Sequence, residues 1–287
     1  MAELVVACLR FGDLRPDVDP LTGSVTRDPR GADLSAADAA ALEHALRLGD
    51  AWSAPVLAVT AASVAADPLL RSAIALGASA LRVPWAAVDY IADLALDERG
   101  LADAVAAAIR GAGTPSVVVC GDLSTDRGTG AFPAYLAHAL DAAQALGLVS
   151  LSVSGNALAG ERRLDGGRRE RLRIPRPAVC SVEAAGVRLR RASLPATLAA
   201  SSASVPVFAG AASASGGSLE LTGVGPFRPR TRVVPAPAGG NSRDRLMQLT
   251  GVLVAHDPPQ IVTPASAASA ADALLDYLRR RGYAAPA

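Results

Sequence analysis

Lysine is absent from this 287-residue chain, and all 28 basic residues are arginine. That absence removes the P-loop lysine, the Schiff-base lysine and the kinase-type phosphate lysine together. Aromatic residues make up only 3% of the chain, which argues against a stacking platform for single-stranded nucleic acid. Net charge is close to neutral, at +1, so no nucleic acid or other strongly charged partner is implied. The three cysteines, Cys8, Cys120 and Cys180, lie far apart and form no C-x-x-C motif. They read as small buried hydrophobes in a reducing compartment, not as a disulfide framework or a metal site. The three histidines, His44, His138 and His256, are isolated, and no H-E-x-x-H or similar ligand spacing occurs. His44 and His138 fall in predicted helices, on faces expected to be partly exposed. There is no G-x-S-x-G elbow, and the first apolar run is not followed by G-x-G-x-x-G, which disfavours an ordinary NAD site. No run approaches the roughly 18 apolar residues of a membrane span, and the first residues carry no basic or apolar leader pattern. The expectation is a cytoplasmic protein without a catalytic centre of its own.

The residues that are present alternate between two kinds of segment. Leu4 to Leu9, Pro55 to Thr60, Ala80 to Val83 and Val117 to Cys120 are short apolar runs of the kind buried on both faces of a parallel sheet. Between them lie helical patterns. The first opens at Ser35, an N-cap, with Asp38 in its first turn. It carries an apolar stripe of Leu34, Ala41, Leu42, Ala45 and Leu48, has a Glu43–Arg47 pair on its other side, and is expected to stop at Gly49. The second runs from Asp67 to Leu76 and closes at Gly77. Val88 to Ala95 reads as helical, and Leu101 to Arg110 is a clearer helix. Asp19 to Gly23 is a turn inside a hairpin excursion after the first strand. The alternation of strand and helix predicts an α/β, doubly wound parallel sheet.

The stretch Gly121-Asp122-Leu123-Ser124-Thr125-Asp126-Arg127-Gly128-Thr129-Gly130 follows the fourth apolar run. A helical face of Phe132, Tyr135, Leu136, Ala139, Leu140 and Ala143 comes next. Ligands of open parallel sheets bind beyond strand carboxyl ends, and helix N-termini attract anions. The loop therefore reads either as a nucleotide or phosphate cradle or as an ordinary strand-to-helix turn. Asp122 and Asp126 could be taken for an acid/base pair, but capping or loop hydrogen bonding is the simpler role. After residue 147 come a strand at Leu148 to Val153 and a hairpin turning at Asp165-Gly166-Gly167. The charged tip of that hairpin is either solvated or an arginine cluster for an anionic partner. Pro175 to Val182 is another strand. The stretch from Ala184 to Arg245, rich in Ser, Ala, Gly and Pro, has the composition of an extended arm. A last helical stripe of Ala271, Leu274, Leu275 and Leu278 ends in Arg279-Arg280-Arg281 and Gly282.

Taken in order, several of these stretches resemble the beta subunit of electron-transfer flavoproteins. Ser35-Ala36-Ala37-Asp38, leading into Leu42 to Leu48, resembles a helix opening N-P-x-x-E and continuing E-x-A-x-R-L. Leu70 to Ser79 resembles L-R-x-A-L-A-M-G-A-D. Gly121 to Ala131 aligns without a gap on G-x-Q-A-x-D-x-D-x-G-Q, keeping Gly121, Asp126 and Gly130. Arg162 to Gly167 resembles R-E-x-x-G-G, and Arg176 to Val179 resembles L-P-A-V. Arg190 to Pro195 resembles P-R-Y-x-x-L-P, and Asp257-Pro258-Pro259-Gln260 resembles D-P-P-Q-R. The departures are Ser35 for the family's Asn, Ala36 for Pro, Leu123-Ser124 for Gln-Ala, Gly128 for the second Asp, and Ala131 for Gln. Ala199-Ala200-Ser201-Ser202 replaces the basic run after the docking leucine.

The resemblance implies an adenine-nucleotide-binding, Rossmann-like α/β core at 1–185 with an antiparallel hairpin extension. It implies a partner-binding C-terminal arm at 186–287, ending in a helix. It also implies a heterodimer with an alpha subunit that carries most of the FAD site, and electron supply from dehydrogenases. Membrane contact would come only through a downstream oxidoreductase. AMP would contact Ala7, Ser35, Ala36, Ala37, Asp38, Ala61 and the loop of Gly121, Asp122, Leu123, Ser124, Thr125, Asp126, Arg127, Gly128, Thr129, Gly130, Ala131 and Phe132. Gly128, Thr129 and Gly130 would meet the phosphate, and the segment starting at Leu194 and Pro195 would dock on dehydrogenases. Three alternatives stand beside this reading: a stand-alone nucleotide-binding sensor or scaffold, a bifurcating-type subunit holding a second FAD, and a nucleotidyl hydrolase or ligase-like enzyme. The last is the weakest, because the loop has neither lysine nor histidine.

Overall fold

The computed structural model describes residues 3–26, 28–85, 98–125, 128–210, 225–226, 228–229, 231, 241–250 and 261–283. Its contacts gather into two units, Met1–Arg228 and Pro229–Ala287. The strands of the first unit are β1 (Leu4–Cys8), β2 (Phe11–Asp13), β3 (Asp17–Val18), β4 (Val25–Thr26), β5 (Ala32–Leu34), β6 (Val56–Ala62), β7 (Ser79–Pro84), β8 (Pro115–Gly121), β9 (Ala143–Ser154), β10 (Ala157–Arg163), β11 (Arg169–Ile174) and β12 (Ala178–Val182). Its helices are α1 (Ala36–Trp52), α2 (Asp67–Ala75), α3 (Glu98–Ala112), α4 (Phe132–Leu140) and α5 (Leu194–Ser201).

Eight strands form one sheet in the order β11-β10-β9-β12-β8-β1-β6-β7. From β9 to β7 every neighbouring pair is parallel, while β9, β10 and β11 form an antiparallel meander at one edge. The doubly wound α/β sheet with an antiparallel extension is thus borne out. Side chains alternate along each strand, so a continuous apolar run supplies two cores at once. Val5, Ala7, Val117 and Val119 face one core with α1 and α2, whereas Val6, Cys8, Val118 and Cys120 face the other with α3 and α4. Alanine dominates the helix faces turned to the sheet: Ala40, Ala41 and Ala45 on α1, and Ala102, Ala104, Ala106 and Ala108 on α3. Small side chains bring these helix axes close to the strands, and the larger Leu42, Leu48, Leu70 and Ile109 fill what space is left.

Four local expectations change. Gly49 does not end α1, which runs on to Trp52 and is stopped by Ser53 in the left-handed region at φ 49. Gly49 is instead a close-approach residue, because a Cβ there would lie 2.4 Å from Val56 Cγ2. Ala143 is not on a helix: Asp141, at φ 53, closes α4, and Ala143 begins β9. His44 lies buried under the sheet, where burial, with the Arg47 charge, lowers its pKa. Glu43 is also buried. It pairs with Arg47 as expected, and Arg190 reaches it from 147 residues away. The helical expectation for Val88 to Ala95 falls outside the described residues, as do His256 and Asp257 to Gln260.

The hairpin excursion after β1 is present as β3 and β4, with Asp13 accepting from the backbone N–H groups of Arg15 and Asp28. In the charged β10–β11 hairpin, Arg162 pairs with Glu170, Arg163 with Glu183, and Arg169 and Arg171 with Glu161. After β12 the chain runs back across the core as a strap. Arg190 donates to Glu43 and Asp50, Arg71 Nε donates to the carbonyl of Ala203 at 3.0 Å, and Arg82 of β7 donates its backbone N–H to Pro206 O and accepts from the Phe208 N–H of the strap. Within the second unit, α6 (Ser242–Leu249) is capped by Asn241 and α7 (Ala267–Arg280) by a capping box at Ser266. Arg279 and Arg280 sit in the last turn of α7, before Gly282 at φ 75.

Candidate functional site

Strand order reverses at β1. The chain moves outward through β6 and β7, then returns to β8 on the other side of β1. In an open parallel sheet that reversal leaves a crevice above the carboxyl ends of the two strands, since the connections depart in opposite directions. A cavity lies there. Its floor is apolar, with Cys8, Val59, Leu101, Val105 and Cys120, and its rim includes Arg10, Asp38, Glu98, Ser124, Thr129 and Gly130.

Each rim residue is held by an identifiable local cause. Ser35 caps α1 by accepting from the Asp38 N–H at 3.0 Å, while its hydroxyl donates to Asp38 Oδ2 at 2.6 Å. The other carboxylate oxygen of Asp38 accepts from the Arg10 N–H at 3.3 Å, joining the start of α1 to the end of β1. Gly121 ends β8 directly against this turn, and a Cβ on it would sit 3.0 Å from Asp38 Oδ1 and 3.2 Å from Ala37 Cβ. Glycine is therefore used here for helix-to-strand packing.

The loop beyond β8 folds on itself. Ser124 N–H donates to Thr129 O at 2.9 Å, and Gly128 N–H donates to Ser124 O at 2.9 Å. Gly128 needs its positive φ of 65 for that turn. Gly130 passes so close to Asp122 that a Cβ would lie 2.5 Å from its carbonyl oxygen. The Thr129 hydroxyl donates to Glu98 at the start of α3, which ties the loop across the cavity mouth. Ala131 then leads into α4 and offers no capping side chain, and Pro133 occupies the first turn. Asp122 is partly buried, and that burial, with the Glu183 charge nearby, raises its carboxyl pKa. No feature of the sequence marks this shift.

Of the residues expected to hold a nucleotide, Asp38, Ala61, Gly121, Leu123, Ser124, Thr129, Gly130 and Phe132 line the cavity. Ala7 is fully buried on the α1 side of β1, and Ser35 and Ala37 are buried at the start of α1. Ala36 is exposed. Asp122, Thr125, Gly128 and Ala131 belong to the loop without lining the cavity, and Asp126 and Arg127 fall outside the described residues. Sequence reasoning missed Arg10, Glu98 and the Cys8–Cys120 floor. Arg10 was findable in principle, because it directly follows the strand that forms one side of the switch point. Leu194 is 71% exposed and leads into α5, which packs on α2. Among the described residues, no cluster of three metal-ligating side chains occurs, and no helix is long and apolar enough to cross a membrane.

A doubly wound parallel sheet with a lined crevice at its switch point defines a Rossmann-like α/β protein with a cavity at the carboxyl ends of β1 and β8. The electron transfer flavoprotein domain matches residues 22–213, and the chain belongs to that family. Members of the family carry electrons. Among curated proteins, none matches the chain significantly.

Proposed function

We propose that this chain is a beta-type subunit of a heterodimeric electron transfer flavoprotein. In this reading it holds AMP in the switch-point cavity, while an alpha-type subunit provides most of the FAD site and dehydrogenases supply the electrons. The observation that carries the nucleotide assignment is the start of α4. It lacks a side-chain cap, directly follows the Thr129–Gly130 end of the loop, and borders the cavity. The positive end of the helix dipole favours a phosphate there.

The residues present fit such a ligand. Val59, Leu101 and Val105 give an apolar slot for a base, and Asp38 and Glu98 give acceptors for ribose or amino protons. Thr129 and the backbone of Gly130, which line the cavity, would meet the phosphate, with Gly128 shaping the turn behind them. Asp38, fixed by Ser35 and the Arg10 N–H, orients the ligand. In this account the nucleotide stabilises the subunit, and FAD bound mainly to the partner supplies the redox chemistry. The residues of this chain bind, orient and exclude water.

The strap from Arg190 to Phe208, with Leu194 and Leu198 exposed on α5, supports a protein partner and disfavours a stand-alone sensor. Co-expression with a candidate alpha subunit tests the proposal. A yellow 1:1 heterodimer whose flavin is reduced by a dehydrogenase is expected, and a colourless chain that ignores the alpha subunit would overturn it.

A further inference from the structure

Cys8 and Cys120 are the carboxyl-terminal cysteines of two adjacent parallel strands and stand directly opposite each other in register. Both side chains turn to the same face of the sheet, in the core with α3 and α4, and both lie on the cavity floor. Neighbouring strands run about 4.8 Å apart, inside the Cα separation of about 4.4–6.8 Å that a disulfide spans. Cys180, on the next strand, is in register with Val119 and turns to the opposite core, so it cannot substitute for either partner. Both thiols are buried. All three cysteines are free.

We propose that Cys8 and Cys120 form a reversible disulfide across the floor of the switch-point cavity. The step is a two-electron oxidation. With a peroxide, the first thiolate sulfur attacks one oxygen, the O–O bond breaks and hydroxide leaves. The second sulfur then attacks the resulting sulfenic acid and displaces its oxygen. Overall, two thiols and one hydrogen peroxide give one disulfide and two waters. A small dithiol reverses it by exchange. The neighbouring Cys8 sulfur and burial hold the Cys120 thiol well above its ordinary pKa, so the thiolate is scarce at neutral pH and oxidation is slow. The cavity is the route of access, and the bond draws the ends of β1 and β8 together beneath whatever the cavity holds.

The test treats the full chain with hydrogen peroxide. Remaining thiols are alkylated in denaturant, and the linked peptides are mapped by mass spectrometry. The expected result is a Cys8–Cys120 linkage with Cys180 still alkylated, reversal by dithiothreitol, and a rate that rises about tenfold per pH unit between pH 7 and 8. Cys8→Ser and Cys120→Ser abolish the linkage, while Cys180→Ala keeps it. If Cys8 and Cys120 stay alkylatable after prolonged oxidation, or are found only as sulfinic acids, the inference is overturned; this mapping of the unsubstituted protein does not depend on the variants folding. One further arm rests on the proposed nucleotide site. Saturating AMP should slow linkage at least tenfold, and an unchanged rate would contradict AMP in the cavity while leaving the thiol pair standing.

Discussion

The two ends of the same parallel sheet are built in opposite ways. At the amino ends of the strands, Arg176 is consumed by the protein. It donates to Glu3 at 2.6 Å and to the backbone and side chain of Asn156, and its guanidinium lies 4.6 Å from the Trp52 ring centroid. At the carboxyl ends, backbone replaces side chains. Gly121 and Gly130 bring chain segments into contact where a Cβ would collide, and α4 starts without a cap. The first end closes charges on one another, as a structural end does. The second surrounds a cavity, as a binding end does.

Substitutions can break this comparison. The largest expected effect is at Gly130→Val, where the new side chain collides with the Asp122 carbonyl and displaces the loop from the cavity. AMP affinity should fall by about a hundredfold, or ~2.7 kcal/mol, measured by calorimetry, with the fold retained. Next comes Arg176→Ala at the opposite end. It should lower unfolding stability by about 2 kcal/mol, because the partners of one guanidinium lose their bonds together. AMP affinity should not change. If Arg176→Ala weakened AMP as strongly as Gly130→Val, the division of labour between the two ends would be wrong.

Glu43→Gln is expected to cost about 1.5 kcal/mol and to loosen the strap, seen as faster proteolysis between Arg190 and Phe208. Burial pushes the Glu43 pKa up, but hydrogen bonds from Arg190 and Arg47 outweigh it and hold the carboxyl below its ordinary value of 4.5. A depressed carboxylate contributes stability above its unfolded pKa, and that contribution is lost as pH falls through the folded value. Strap release in the unsubstituted chain should therefore set in below about pH 4.5. The smallest effect concerns His44, whose pKa lies below its ordinary 6.5, first through burial and then through the Arg47 charge. The unfolded chain takes up that proton more readily, so stability declines as pH drops below about 6.5. His44→Leu should remove about 1 kcal/mol or less of that decline, read from thermal melts between pH 7 and 5.

Much of the fold was legible because buried parallel strands leave a plain mark. Leu4 to Leu9 and Val117 to Cys120 are uninterrupted apolar runs, and only a strand covered on both faces needs them. What was not legible depends on contacts distant in sequence. Gly49 looks like a helix stop until Val56 is seen against it, and Ala143 fits the α4 stripe until Asp141 turns the chain. Glu43 looked like half of a surface pair because nothing in its neighbourhood announces Arg190. For the site, the glycine loop and the Asp38 turn were readable from local pattern. Arg10, Glu98 and the Cys8–Cys120 floor were not, since strand order alone brings them to one cavity.

The most direct test of the central claim is the nucleotide content of the co-purified heterodimer, released by denaturation and quantified by chromatography. The account predicts one AMP for each copy of this chain, and its loss in Gly130→Val. A heterodimer that forms and carries flavin, yet releases no AMP from the unsubstituted chain, would contradict it.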